Sequence, residues 1–125
     1  MEFLTSFKAN GHYSPAVISK GQVIVSGQLS IDPATGKVPE TIRDEVFSCL
    51  NKIEGIIKEA GLDRNDIVSC RVYMTGVKHW DEVNDAYAEF FGAHKPARVA
   101  VPVAELHKGC NVEIEAVAEL GSKIF

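Results

Sequence analysis

An α+β fold, with two amphipathic helices on one face of a sheet, is what this sequence predicts. Three observations carry that expectation. Between Thr41 and Ala60 the apolar residues recur at spacings of three and four, the period of a helix with one buried stripe. From Ile67 to Met74 polar and apolar residues alternate, the period of a half-buried strand. Around these two segments the chain reads strand, strand, turn, strand or loop, helix, strand, helix, strand, strand.

Residues Tyr13 to Gln28 form two short strands turned at Ser19-Lys20-Gly21, a glycine-containing hairpin. Val23-Ile24-Val25 is apolar without interruption, which predicts burial from both sides of the sheet. Asp32-Pro33-Ala34-Thr35-Gly36 is a turn, with Pro33 presetting φ and Gly36 supplying a left-handed exit. In the first helix Ile42, Val46, Cys49, Leu50, Ile53, Ile56, Ile57 and Ala60 make the buried stripe. Thr41, three residues before Asp44, caps its start, and Gly61 stands where a left-handed C-terminal residue belongs.

On the strand that follows, Val68, Cys70, Val72 and Met74 share one face, and Ser69, Arg71 and Tyr73 the other. A second helix runs from about His79 to Phe91 with Trp80, Val83, Tyr87, Phe90 and Phe91 inward, ended by Gly92 and Pro96. The last two strands span Arg98–Glu105 and Asn111–Glu119. In the first of these Val99, Val101 and Val103 face one way and Arg98 and Ala100 the other, while Pro102 marks an edge or a bulge. Two helices cover only one face, yet several strands are apolar on both. The uncovered face is therefore expected to pack against another subunit.

A chain of 125 residues fits a single domain over 1–125 with a core of its own. The 13 Lys and Arg stand against 17 Asp and Glu, a net charge of −4 with no basic run, so no nucleic-acid partner is expected. No apolar stretch reaches the ~20 residues that span a bilayer, and no signal peptide is visible. Cys49, Cys70 and Cys110 are odd in number and widely spaced, which fits a reduced, cytoplasmic protein without a disulfide framework. His12, His79, His94 and His107 lack metal-ligand spacing, and no nucleotide or nucleophile-elbow motif occurs.

The chemistry concentrates near the C-terminus. Arg98 is carried into an alternating apolar run, and Glu113 and Glu115 are threaded through Val112-Glu113-Ile114-Glu115-Ala116. A guanidinium and a carboxylate on neighbouring strands could hold a small anion and activate a water beside it. They could equally form a structural ion pair, Arg98 with Glu113 or Glu115. Tyr13 and Asn84 read as an interface aromatic and a helix-surface amide.

Several segments, in this order and spacing, are specific together. They are Tyr13-Ser14-Pro15-Ala16-Val17, Val25-Ser26-Gly27-Gln28, Asp32-Pro33-Ala34-Thr35-Gly36, Val83-Asn84-Asp85-Ala86-Tyr87 with Phe90-Phe91, Pro96-Ala97-Arg98 and Val112 to Ala116. Through them the chain resembles, over nearly its full length, the RidA/YjgF family of enamine and imine deaminases. The resemblance implies a chorismate-mutase-like α+β fold, a mostly antiparallel six-stranded sheet with two helices on one face, assembled as a homotrimer with sites between subunits. It implies that Arg98 holds the carboxylate of a small substrate and that Glu113 orients or activates water. Tyr13, Ser26, Gly27 and Asn84 match positions lining the family's pocket. The implied reaction is hydrolysis of the C=N bond of 2-imino or 2-enamino acids, such as 2-aminoacrylate, to 2-oxo acids and ammonia. No cofactor and no metal is implied.

The sequence departs from the commonest family pattern at His12 and Pro15 beside Tyr13, at Ala100 where close relatives carry a cysteine, and in the loop Leu106-His107-Lys108-Gly109-Cys110. These departures bear on the substrate. His107, near the pocket mouth, either alters substrate choice or is a surface residue. With Lys108 it could meet the second carboxylate of a longer diacid, as in a 2-aminomuconate-type deaminase. A third reading on the same scaffold is a regulatory protein that binds 2-oxo acids without turnover.

Overall fold

Lys20 and Gly21 turn the chain back on itself with φ of 50° and 79°. Two adjacent left-handed residues are what the tightest hairpin loops require. In the computed structural model, which describes residues 1–4, 9 and 11–121, this turn joins β2 (Ala16–Ser19) to β3 (Gln22–Leu29). The other elements are β1 (Glu2–Leu4), α1 (Ile42–Ile57), β4 (Ile67–Met74), α2 (Trp80–Phe91), β5 (Ala97–Pro102) and β6 (Val112–Glu119). The strands form one sheet in the order β1-β2-β3-β6-β4-β5. Every pairing is antiparallel except β4 with β5, which run parallel because α2 carries the chain back between them.

The sheet has six strands, and the segment left open as strand or loop before α1 supplies none of them. The segment after Leu29 forms turns, and the sixth strand is the N-terminal Glu2–Leu4. Local chemistry explains the difference. Asp32 Oδ1 accepts from Ala34 N at 2.8 Å, and Gly36 at φ 72° closes the turn onto the Asp32 carbonyl. The Lys52 ammonium donates to the carbonyls of Leu29 and Ile31, so those backbone groups are satisfied without a partner strand.

Both helices form where the periodicity places them. Thr41 Oγ1 accepts from Asp44 N at 3.1 Å and caps α1, while Gly61 takes φ 77° after a closing 3₁₀ turn. The stripe Val46, Cys49, Leu50, Ile53 and Ile57 is fully buried on β3 and β6. Each large aliphatic side chain there stabilises the fold by about 1.5–3 kcal/mol. In β6 the alternation is strict: Val112, Ile114, Ala116 and Ala118 lie under the helices, and Glu113, Glu115, Val117 and Glu119 face the other way.

Among the described residues that other face carries no helix. Phe3, Val17, Ile24 and Val117 are paired in register across β1, β2, β3 and β6 and make a continuous apolar row on it. Ile24 keeps 45% of its surface and Phe3 59%. Burial of Ile24 from both sides, expected from Val23-Ile24-Val25, is therefore not achieved within one chain, because both helices lie on the opposite face. Pro102 ends β5, an edge strand, where its missing N–H costs no ladder bond.

Candidate active site

Arg98 leaves β5 toward the helices and lies on α2. Its Nη1 donates to Asn84 Oδ1 at 3.0 Å, and its guanidinium carbon sits 5.3 Å from the Trp80 ring centre and 4.9 Å from that of Tyr87. Trp80, Asn84 and Tyr87 are spaced i, i+4, i+7, so one helical stripe supplies the whole cradle. Stacking on aromatic faces contributes about 0.5–2 kcal/mol and fixes the plane of the fork. Trp80, expected among the inward residues, is 41% exposed because it flanks this guanidinium instead of entering the core. Asn84, Tyr87 and Arg98 line a shallow cleft of about 400 Å³.

Glu113 sits elsewhere. Its carboxylate lies over Gly27, in a cleft of about 760 Å³ that Tyr13, Ser26, Gly27, Lys52, His107 and Glu113 line together. The register between β3 and β6 shifts between Val25 and Gln28, a bulge centred on Ser26 and Gly27 beside Glu113. Ser26 is held on both sides of its Cα: Oγ donates to the Ser14 carbonyl at 2.7 Å and its N–H to the Pro15 carbonyl at 2.9 Å. Tyr13 is 52% exposed at the cleft rim. His107 and Lys108 enter from a 3₁₀ turn (His107–Gly109) in which Lys108 takes φ 58°.

Burial foremost, and then the Glu115 carboxylate two residues on, hold the Glu113 carboxyl above its ordinary value, while His107 draws it part of the way back. Glu115 is itself engaged, accepting from Tyr73 Oη at 2.5 Å and lying 3.7 Å from Arg71 Nη1. A half-buried carboxylate raised in this way holds a proton more readily than an ordinary glutamate, which suits it to proton transfer. Lys52, across the cleft, is pushed down by burial.

A Cβ on Gly27 would overlap Glu113 Oε2, the mobile end of a side chain and not backbone. Gly27→Ala is therefore expected to leave the melting temperature near that of the parent while displacing the carboxylate. A fall in turnover of about tenfold or more, set by the misplaced group, is the outcome to look for in steady-state rates. Unchanged turnover would show that the carboxylate's position over Gly27 is unimportant.

The expected pairing of Arg98 with Glu113 is corrected in two respects. Their strands are not neighbours, because β4 runs between β5 and β6. Nor do they share a face: Arg98 is in register with buried Cys70, and Glu113 with Tyr73, an odd number of residues along β4. No ion pair joins Arg98 to Glu113 or to Glu115 among the described residues. The expected site residues thus fall into two groups, Tyr13, Ser26, Gly27, His107 and Glu113 in one cleft and Asn84 with Arg98 in the other. Trp80, Tyr87 and Lys52 were not expected at either. The i, i+4, i+7 spacing onto Arg98's strand was visible for the first two, and Lys52 stands at the edge of the α1 stripe, three residues from Cys49 and four from Ile56.

Comparison with known proteins agrees with this architecture. The family described as endoribonuclease L-PSP matches residues 3–120. A RutC family protein of Aquifex aeolicus is 42% identical over 110 residues, 86% of this chain and 88% of that protein. A bovine protein named 2-iminobutanoate/2-iminopropanoate deaminase is 41% identical over 114 residues, 90% of this chain and 83% of its own length. The crystal structure of the YjgF gene product of E. coli superposes with a TM-score of 0.88 at 33% identity, over 95% of this chain and 98% of that one. A match of this extent in sequence, together with the same sheet and helices, means that the chain belongs to the RidA/YjgF family.

Proposed function

We propose that the protein hydrolyses small 2-imino acids to 2-oxo acids and ammonia, at sites completed between the subunits of a homotrimer. The observation that carries this is the separation of a preorganised guanidinium from a carboxylate of raised pKa on opposite faces of one sheet. One chain cannot bring them together. A second copy laid on the open apolar face can present its edge strand β5, and with it Arg98, to the cleft that holds Glu113. The name of the bovine relative supports the choice of reaction.

In this reading Arg98 of one subunit binds the substrate carboxylate with the fork left free by Asn84. Glu113 of the next takes a proton from water as its oxygen attacks the imine carbon. Returning that proton to nitrogen gives the carbinolamine; Glu113 then takes the carbinolamine hydroxyl proton and passes it to nitrogen as the C–N bond breaks, so ammonia leaves and the C=O bond forms. An enamine substrate first takes a proton at carbon to become the imine. Nothing is oxidised or reduced, so an anchor, a base and water suffice. The acidic balance of the chain, −4 overall, disfavours a polyanionic RNA substrate despite the endoribonuclease description of the family.

The test supplies an imino acid in the cuvette from an amino-acid oxidase and follows ammonia and 2-oxo acid release. Acceleration by the wild type is expected, together with a trimer in sedimentation velocity. Mixed trimers of Arg98→Ala and Glu113→Gln subunits are expected to regain part of the activity that each lacks alone. No acceleration with any imine, alongside binding of 2-oxo acids, leaves the binding-protein reading in its place. His107 and Lys108 in the Glu113 cleft are the observation favouring a diacid substrate, so a longer imino diacid belongs in the same assay.

A further inference from the structure

Deep under the helices lies a carboxylate that the proposed reaction does not use. Glu45 is 1% exposed and sits on α1 one turn before Cys49. Its Oε1 accepts from Ser30 Oγ at 2.7 Å and from Asn111 N at 2.8 Å, and its Oε2 accepts from Asn111 Nδ2 at 3.0 Å. Asn111 in turn accepts from Thr75, through Oδ1 from Thr75 Oγ1 at 2.7 Å and through its carbonyl from Thr75 N at 3.0 Å. Cys49 Sγ reaches the Val112 carbonyl at 3.6 Å. Two successive turns of α1 therefore grip two successive residues, Asn111 and Val112, at the mouth of β6.

The position of this network matters more than its strength. Ser30 follows the end of β3, Thr75 follows the end of β4, and Asn111 precedes β6, so the carboxylate ties two strand ends directly and reaches the third through Asn111. Glu113 is the second residue after Asn111, and the His107–Gly109 turn that lines the cleft is the short stretch before it. A buried carboxylate in an apolar core is costly unless every lone pair is used. An apolar residue at position 45 would pack the helix at least as well. What Glu45 supplies is a fixed height and orientation for the strand that presents Glu113.

We infer that Glu45 is a positioning residue for Glu113, holding the start of β6 and the adjoining turn in the geometry that aims the Glu113 carboxylate into its cleft. This rests on the reading of Glu113 as the group that activates water. It predicts coupling, which a simple loss of core packing does not.

Kinetics with the same imino acid are compared for the wild type, Glu45→Gln, Glu113→Gln and the double variant, each with a thermal melt. Glu45→Gln keeps the volume but gives up one acceptor. It is expected to lower kcat by about ten- to a hundredfold with KM changed by less than about twofold. In the Glu113→Gln background the same change is expected to cost less than about twofold. An equal loss in both backgrounds, or a wild-type kcat in Glu45→Gln, overturns the inference. Wild-type turnover by Glu113→Gln instead overturns the reading of Glu113, and is distinguished because it appears without any change at position 45. Asn111→Ala cuts the same tie from the strand side and carries the test if Glu45→Gln does not fold. Ser30→Ala loosens only the β3 end and is expected to lose less than Asn111→Ala. Equal losses from these two point to general loosening and count against Glu45.

Discussion

Arg98→Ala is expected to lower kcat/KM for a 2-imino acid by roughly 10- to 100-fold, the loss of a charge-assisted contact of about 1.5–3 kcal/mol. Most of the change should fall on KM, because the substrate carboxylate is bound alike in the ground and transition states. Arg98→Lys tests the geometry. It restores the charge but neither the planar fork nor the stacking on Trp80 and Tyr87, so recovery should be partial. Size-exclusion chromatography of both variants separates a binding role from a structural one. If Arg98→Ala falls apart as an oligomer, Arg98 was holding subunits together and the anchor must lie elsewhere.

Glu113→Gln is expected to reduce kcat by about 10²- to 10⁴-fold, the range for loss of a general base. The wild-type rate should decline as pH falls through a value above that of an ordinary glutamate, the direction in which burial and Glu115 move this carboxyl. The variant should lack that limb. Stability moves the opposite way. A carboxyl whose folded pKa is raised holds its proton more tightly in the native state. The stability this gives is present at low pH and is lost as pH rises from the unfolded value through the raised one. Ionised Glu113 is thus a net cost at pH 7, and Glu113→Gln is expected to melt higher there. The difference should close below about pH 4, where the unfolded-state carboxyl is protonated as well. A variant that melts lower at pH 7 would place Glu113 among the groups that hold the fold together.

The segments with local causes were legible. The α1 stripe and its Thr41 cap, the Lys20-Gly21 hairpin, the Asp32–Gly36 turn and the alternation of β6 all follow from neighbours within a few residues. Sheet order was not. That β6 enters between β3 and β4 depends on pairings tens of residues apart, for which no local period exists. Arg98 and Glu113 lie on strands that are consecutive in sequence but separated in the sheet by β4, which no local pattern reveals. The three-residue β1 was invisible because a run so short has no periodicity to detect. The bulge at Ser26-Gly27 and the Glu45 network were hidden for a related reason, since each is defined by what a distant strand brings to it.

The two borders of the sheet bear on how nascent chains avoid one another. β1 is three residues long and β5 stops at a proline. An exposed border of unpaired amides invites another chain to add a strand, and brevity and proline are two ways of refusing it. Two copies of this protein that meet therefore find poor purchase border to border. What they can share is the bare apolar row of Phe3, Val17, Ile24 and Val117, an association by faces that stops once those faces are covered. Edges that resist strand addition leave contact between faces as the route by which copies of the chain can cover that row.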